Sequence, residues 1–551
     1  MSTDAAPVHL THPDAPASAA RIAFVGAGPG DPGLLTVRAR EYLAAADVVL
    51  LDTLHREEEL SPWTKEDAVF VLTTRGEGGP ALTPAARAKL LVRTASKYDD
   101  ATHLVVRLMD GDATAFGGLA GEALACRDAG VPFEIVPGVS TAWSVPAYAG
   151  MPLSGDGQHS EVHVLHAGDS SVDWSLSVAT DVTVVVLGSG DQLRKALRQL
   201  ADAGRPGDSP VALTENGTTV SQQTYVQTLD EAITTMAADD APAATVAVVG
   251  PSVELRSELS WWESKPLFGW SILVPRTKEQ SGPMTDRIAA YGASASVVPT
   301  ISVEPPRTPQ QMDRAVRGLV TGRYEWIGFT SVNAVRAVRE KFEALGLDAR
   351  SFAGLKLAAV GGVTAQALRE WGLEPDLVPE GEESARGLLE VWPPFDEVLD
   401  PINRVFLPRA DIATDTLVAG LHEMGWEVDD VTAYRTVRAA PPAAPVREAI
   451  KGGAFDAVCF TSSSTVRNLV GIAGKPHPNT LVACIGPATA KAAEEHGLRV
   501  DVVAPEPSAT RLVDALAEHV RALAAQAQAD GEPLVRPSER KAAPRRPRNR
   551  R

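Results

Sequence analysis

Cysteine is scarce: the 551 residues contain three, Cys126, Cys459 and Cys484, too few and too scattered for a disulfide framework or a clustered metal site. That argues for a reducing compartment, and the expected location is cytoplasmic. Long apolar runs are also missing. No stretch approaches the roughly 18 apolar residues of a membrane span, and the Ala- and Pro-rich start lacks the basic opening and hydrophobic core of a secretory signal. Positive charge is in deficit, with 52 Lys and Arg against 70 Asp and Glu, a net charge of −18. A main body so acidic is not expected to hold nucleic acid or an anionic membrane. What remains is the balance of a folded soluble protein, 44% apolar and 22% charged, too long for one hydrophobic core. Residues 1–20 and 526–551 are expected to be disordered. The latter includes the Pro-interrupted basic run RPSERKAAPRRPRNRR from Arg536, either a solvated tail or a docking site for an acidic partner.

The second half repeats itself. WIGFTSVNAVRAV around Thr330 returns as AVCFTSSSTVRNL around Thr461, LAAVGGVTAQAL around Gly361 as VACIGPATAKAA around Gly486, and ILVPRT before Lys278 as VFLPRA at Pro408. Each unit reads as a short apolar strand, a turn of Ser, Thr or Gly, and a helix. Alternating strands and helices imply an α/β fold with parallel sheets, whose ligands gather at the strand C-termini. Thr330, Ser331, Thr461, Ser462, Ser463 and Ser464 therefore stand at helix N-termini, where unpaired N–H groups and the positive dipole end hold anions. The same residues would equally cap their helices. No His, Cys or acidic cluster accompanies them, so metal hydrolysis and nucleophilic triads find no parts here.

On these segments, together with VTAYRTV around Tyr434, residues 271–525 resemble uroporphyrinogen-III synthase. The resemblance implies a two-lobed parallel α/β fold with an internal duplication, lobe one at 271–305 and 436–525 and lobe two at 306–435. It also implies a substrate, hydroxymethylbilane, that carries many carboxylates and is closed to uroporphyrinogen III with inversion of ring D and loss of water, with no cofactor. Substrate-binding residues would be Arg276, Thr330, Ser331, Asn333, Gly361, Thr364, Arg409, Thr461, Ser462, Ser463, Gly486 and Thr489. Tyr434 would assist departure of the hydroxyl, or else pack the crossing between the lobes.

The first half opens with RIAFVGAGPGDPGLLT, a strand running into Gly26, Gly28, Pro29, Gly30 and Asp31. Asp31 stands where a dinucleotide fingerprint needs its third glycine, and prolines flank it, so a nicotinamide site is disfavoured. With RLMDGDATAFG, FEIVPGVSTAWSVPAYAGMPL, TVVVLGSG and ALTENGTTVSQQT, the loop instead resembles the tetrapyrrole methylases over residues 21–260. Their nearest branch is uroporphyrinogen-III C-methyltransferase. This implies a two-subdomain fold that binds S-adenosylmethionine through the opening loop (Gly26, Gly28, Pro29, Gly30, Asp31) and through Asp110, Gly111, Asp112, Ser140, Thr141, Leu187 and Gly217. Glycines would permit the close backbone approach. It leaves room for a homodimer formed through this domain. Asp52 would take the proton displaced by methyl addition, or simply end its strand.

The chain departs from that branch. Leu72 and Thr73 stand where it has Gly-Lys, with Arg75 the nearest substitute, Met109 replaces a Lys, and Ser154, Gly155 and Asp156 replace Thr-His-Arg. A polycarboxylate acceptor would need those lost cations, so a synthase joined to a scaffold or cofactor sensor is the alternative reading. Between the halves, residues 261–270 carry Trp261, Trp262 and Trp270 around Pro266, too aromatic for a flexible linker. They are expected to form an ordered joint packing one module on the other.

Overall fold

The computed structural model describes residues 20–52, 60, 63–74, 82–98, 103–115, 118–155 and 161–540; Arg75, Asp156 and the ends 1–19 and 541–551 lie outside them. The chain divides into two units, residues 1–270 with 288–294, and residues 271–287 with 295–551. In chain order the strands of the first are β1 (Arg21–Gly26), β2 (Val48–Leu51), β3 (Val69–Leu72), β4 (Leu104–Met109), β5 (Phe133–Val136), β6 (Val162–His166), β7 (Thr183–Leu187), β8 (Pro210–Glu215), β9 (Gln223–Thr228) and β10 (Val246–Val249). There follow β11 (Ser271–Val274), β12 (Ser294–Val297), β13 (Ile301–Glu304), β14 (Trp326–Phe329), β15 (Lys356–Ala359), β16 (Arg404–Ala410), β17 (Glu427–Arg438), β18 (Ala457–Phe460), β19 (Leu481–Cys484) and β20 (Val502–Val503).

These strands form four five-stranded sheets, and the α/β class expected from the alternation holds in both units. The first sheet, ordered β3-β2-β4-β1-β5, is parallel throughout. Its strands are nearly continuous Val, Leu and Ile because helices cover both faces. The second, β6-β7-β10-β8-β9, is mixed, with β10 antiparallel to both neighbours. All four residues of β10 are fully buried, and each valine there contributes about 1.5–3 kcal/mol by leaving water.

In the second unit one sheet runs β12-β11-β18-β19-β20 and the other β13-β17-β16-β14-β15. The sequence boundary at residue 305 needs moving. Ile301–Glu304 pairs antiparallel with Arg435–Arg438 of β17, so β13 belongs with lobe two, and both crossings are made by these paired strands rather than by loops. The tail also starts later than residue 526. The last long helix, Ala509–Ala529, continues past that point, Pro537 is buried, and the Ser538 N–H donates to Asp456 Oδ1 at 2.9 Å.

The Trp-rich segment packs on the first unit. Trp261 and Trp262 pack edge to face and both lie against Tyr148. Their indole N–H groups donate to the carbonyls of Ala147 and Thr219, each at 2.9 Å.

The three cysteines are buried. Burial, with the neighbouring Glu122, pushes the Cys126 thiol up to about 11; burial, with the neighbouring thiol of Cys484, raises Cys459 to about 12. Iodoacetamide at neutral pH is therefore expected to label none of the three in the folded protein and all three in denaturant, since the thiolate is the nucleophile. Mass spectrometry of native protein carrying a label at Cys459 would contradict this.

Candidate active sites

In the first unit three glycines form a floor at the C-terminal ends of β1 and β4. A Cβ on Gly26 would lie 2.5 Å from Gly138 Cα and 2.8 Å from the Gly111 carbonyl, so these backbones touch and only glycine fits. Gly28 and Gly111, both left-handed with φ of 70° and 66°, exchange two N–H···O bonds of 3.0 and 2.9 Å, tying the opening loop to the loop after β4. Thr141 Oγ1 faces the same floor, 2.8 Å from where a Gly111 Cβ would be. Asp112 accepts from the N–H of Gly138 at 2.8 Å, from the N–H of Thr114 at 2.9 Å and from the Thr114 hydroxyl. Burial opposes its charge, but these donors outweigh burial and hold the carboxyl below the usual carboxylate range.

The second sheet supplies the other wall. The Asp31 N–H donates to Thr218 Oγ1 at 3.1 Å, while its carboxylate accepts from the Tyr148 hydroxyl and the Gly33 N–H, each at 2.7 Å. Burial and this bond to Asp31 push the Tyr148 phenol above its ordinary range. A Cβ on Gly30 would meet the Gly217 carbonyl at 3.0 Å. Asn216 and Thr218 take φ of 50° and 67°; for a β-branched residue that is an outlier, costing of order 1–3 kcal/mol. Gly26, Gly28, Gly30, Asp31, Gly111, Asp112, Thr141 and Gly217 are thus brought to one cup, with Pro29 between two of its glycines. Ser140 precedes the helix Thr141–Tyr148 without a side-chain cap bond, Asp110 is exposed beside Gly111, and Leu187 ends β7.

Asp52 follows β2 and is not isolated. It accepts from Arg107 Nη2 at 3.1 Å and from the Thr73 hydroxyl. Arg107 is buried and donates from Nε to Glu122 Oε2 at 3.0 Å; the other oxygen of Glu122 takes Arg87 Nε at 2.8 Å. Sequence reading missed this Asp52–Arg107–Glu122–Arg87 chain, because nothing in the local pattern shows four distant residues converging. Thr73, at the position where the resembled branch carries lysine, supplies a hydroxyl to Asp52 instead of a cation.

In the second unit the hydroxyl and glycine turns lie at strand C-termini, as expected. Ser331 caps the helix Val332–Ala344, accepting from the Ala334 N–H at 3.1 Å, and its Oγ lies 2.9 Å from the hydroxyl of Tyr434, which is buried in β17. Thr330 and Asn333 flank that cap, half-buried. Ser462 caps Ser463–Ala473 through the Thr465 N–H, and Ser463 Oγ donates to the Ala488 carbonyl at 2.9 Å, joining the FTSSS turn to the turn at Gly486. Thr461 follows β18 beside them. The two glycine-capped termini differ. Glu383 Oε1 accepts from the Gly362 N–H at 2.9 Å beside Gly361, whereas a Cβ at Gly486 would meet nothing within 4 Å. Arg276 follows β11, which pairs in parallel with β18. It has no acidic partner among the described residues, and burial alone lowers its pKa.

Three expected substrate residues are placed otherwise. Arg409 is buried and spends its guanidinium on Asp430, on the Thr414 carbonyl at 2.5 Å and on Asp415 at 3.3 Å, holding β16 to β17. Thr364 and Thr489 are 5% and 4% exposed, since one turn into a helix the side chain faces the sheet.

A glycine-floored cup on one α/β unit and paired strand-end turns on a duplicated second unit define a two-unit α/β protein with candidate ligand sites at its strand C-termini. The family described as Tetrapyrrole (Corrin/Porphyrin) Methylases matches residues 21–233, and Uroporphyrinogen-III synthase HemD matches residues 282–514. "Porphyrin biosynthesis protein HemD" of Ruminiclostridium josui is 32% identical over 508 residues, 90% of this chain and 97% of that protein. Siroheme synthase 1 of Klebsiella pneumoniae is 37% identical over 246 residues, 44% of this chain and 51% of that protein. Uroporphyrinogen-III C-methyltransferase of Bacillus subtilis is 30% identical over 328 residues, 58% of this chain and 65% of that protein. The chain therefore belongs to the tetrapyrrole-biosynthesis family in which a methylase domain is joined to a uroporphyrinogen-III synthase domain. No helix among the described residues is long and apolar enough to cross a membrane.

Proposed function

We propose that the second unit closes hydroxymethylbilane to uroporphyrinogen III with inversion of ring D, and that the first unit binds S-adenosylmethionine and methylates that product. The observation that carries the synthase reading is the Ser331–Tyr434 pair, a buried phenol held by the helix-capping serine past the C-terminal end of β14. There the phenol can give its proton to the departing hydroxyl, which leaves as water while the pyrrole nitrogen lone pair takes over the bond. Arg276 and the N–H groups at the Ser462 and Gly486 termini would hold carboxylates and keep the chain ends in near-attack geometry. A desolvated cation with no acidic partner among the described residues favours such an anion.

The residues of the first unit fit the cofactor. The glycine floor leaves backbone as the contact surface, and Asp112 and Asp31 are carboxylates fixed on its two sides, suited to hydroxyl and ammonium groups. Bound there, S-adenosylmethionine would supply an electrophilic methyl group. Asp52, oriented by Arg107 and Thr73, would receive the proton that the pyrrole carbon gives up.

The test is to supply the chain with freshly generated hydroxymethylbilane, with and without S-adenosylmethionine, and to separate the oxidised products by isomer and mass. Isomer III with methylated derivatives is expected; isomer I alone would sink the reading. Tyr434→Phe should lower the cyclisation rate by about 100-fold, the lower range for loss of a general acid, and an undiminished rate would leave Tyr434 a packing residue. The placement of Thr73 and Met109 where the resembled branch has lysine favours a second reading, a synthase with a cofactor-binding but non-methylating first unit. Isomer III without methylated product would support it.

A further inference from the structure

The residues after β10 are not merely a connection, because they reach the cup. Glu263 accepts from Gln222 Nε2 at 2.7 Å and from Thr224 Oγ1 at 2.8 Å with one oxygen, and from Arg256 Nη2 at 2.5 Å with the other. Gln222 is buried, and its Oε1 accepts from the Thr218 N–H at 2.7 Å; its amide orientation is thereby fixed, with oxygen toward Thr218 and nitrogen toward Glu263. Thr218, fully buried, receives the Asp31 N–H on its hydroxyl. A continuous hydrogen-bond chain thus runs from Glu263 through Gln222 and Thr218 to the loop containing Asp31. Trp262 adds a second tie, its indole N–H donating to the Thr219 carbonyl.

The strained conformation at the far end gives this chain a purpose. Thr218 sits at φ 67°, a conformation its side chain disfavours and the surroundings must impose. Left to itself the turn would relax, moving the Thr218 hydroxyl away from Asp31 and the Gly217 carbonyl away from Gly30. The chain from Glu263 is what opposes that.

We propose that Glu263 and Gln222 are positioning residues of the cofactor cup, holding the Asn216–Thr219 turn and the Asp31 loop in binding geometry, so that the cup is complete only with the segment that leads out of the first unit. This rests on the cofactor reading above. The consequence is chemical. A glutamine at 263 must turn its NH₂ toward either Gln222, donor against donor, which breaks the chain, or Arg256, which removes the ion pair that fixes residue 263 at the head of the chain.

The experiment uses the full-length chain with S-adenosylhomocysteine as the probe, titrated calorimetrically. Glu263→Gln should weaken binding by about tenfold, the loss expected for one buried hydrogen bond to a charged group. The exchanged pair, Glu263→Gln with Gln222→Glu, restores the pattern: the new carboxylate at 222 accepts from the Thr218 N–H and from the amide at 263. It should recover wild-type affinity to within about twofold, a coupling far beyond additive behaviour. Cyclisation of hydroxymethylbilane by the same preparations should be unchanged, which reports intact folding of the second unit. Affinity unchanged in the single variant, or not recovered in the exchanged pair, overturns this inference alone. No binding by the unsubstituted chain overturns the cofactor reading and this inference with it.

Discussion

Glu122→Gln is expected to destabilise the first unit by about 3–5 kcal/mol, the cost of removing one partner from a buried ion pair. Glu122 is fully buried, and its two oxygens receive two different guanidinium groups, Arg87 at 2.8 Å and Arg107 at 3.0 Å. The substitution keeps the volume, so no cavity forms, but it removes the charge and points an NH₂ at one of the two donors. Arg107, 2% exposed, then lies in the core with Asp52 as its remaining acidic neighbour. Hydrogen exchange across β4 and the helix Leu119–Asp128 should accelerate by about two to four orders of magnitude, what 3–5 kcal/mol implies, while β14 and β18 in the second unit keep their protection. Arg87→Ala should cost less, because its side chain is 16% exposed and Glu122 keeps Arg107. Unchanged exchange in Glu122→Gln would show that the pair contributes nothing net. A loss of that size would also release Asp52, so methyl transfer should fall with stability.

Local pattern carried much of this protein. The strand, small-residue turn and helix repeat at Thr330, Gly361, Thr461 and Gly486 gave the α/β alternation and put these turns at strand C-termini, because apolar period and helix caps are short-range signals. The Gly-rich opening likewise announced a close backbone approach, found where Gly26 meets Gly138 and the Gly111 carbonyl. Other features were out of reach. Arg409 and Arg276 both follow apolar runs in their repeats, yet one is consumed by Asp430 and Asp415 and the other has no acidic partner among the described residues; the difference lies in β17, pairing across the sheet. Thr364 and Thr489 looked like further turn hydroxyls, but helical periodicity turns them into the core. Strand Ile301–Glu304 was read with the wrong lobe because its partner, Arg435–Arg438, is remote in sequence. The Glu263–Gln222–Thr218–Asp31 chain spans most of the first unit and leaves no local trace.

Gly26→Ala is expected to abolish binding of S-adenosylhomocysteine while leaving cyclisation of hydroxymethylbilane intact. The added methyl would come within 2.5 Å of both Cα and N of Gly138 and 2.8 Å from the Gly111 carbonyl. These are backbone atoms of parallel strands and their loops, which cannot swing aside as a side chain can. The clash is reciprocal, since a Cβ on Gly138 would lie 2.2 Å from the same carbonyl. Relief requires β1 to separate from the loops after β4 and β5, at about 1–3 kcal/mol for an overpacked site, and that movement breaks the Gly28–Gly111 bonds and the Gly138 N–H to Asp112. The floor and one wall of the cup are lost together, so the effect on affinity should exceed the effect on stability. Gly121→Ala is the control. Gly121 lies within the helix Leu119–Asp128, with nothing within 4 Å of an added Cβ; alanine there should stabilise by up to about 1 kcal/mol and leave binding unchanged. If Gly26→Ala binds the probe as tightly as the control does, the cup is not the cofactor site. If it binds weakly and also stops cyclisation, the two units are coupled in a way their separate active sites do not require.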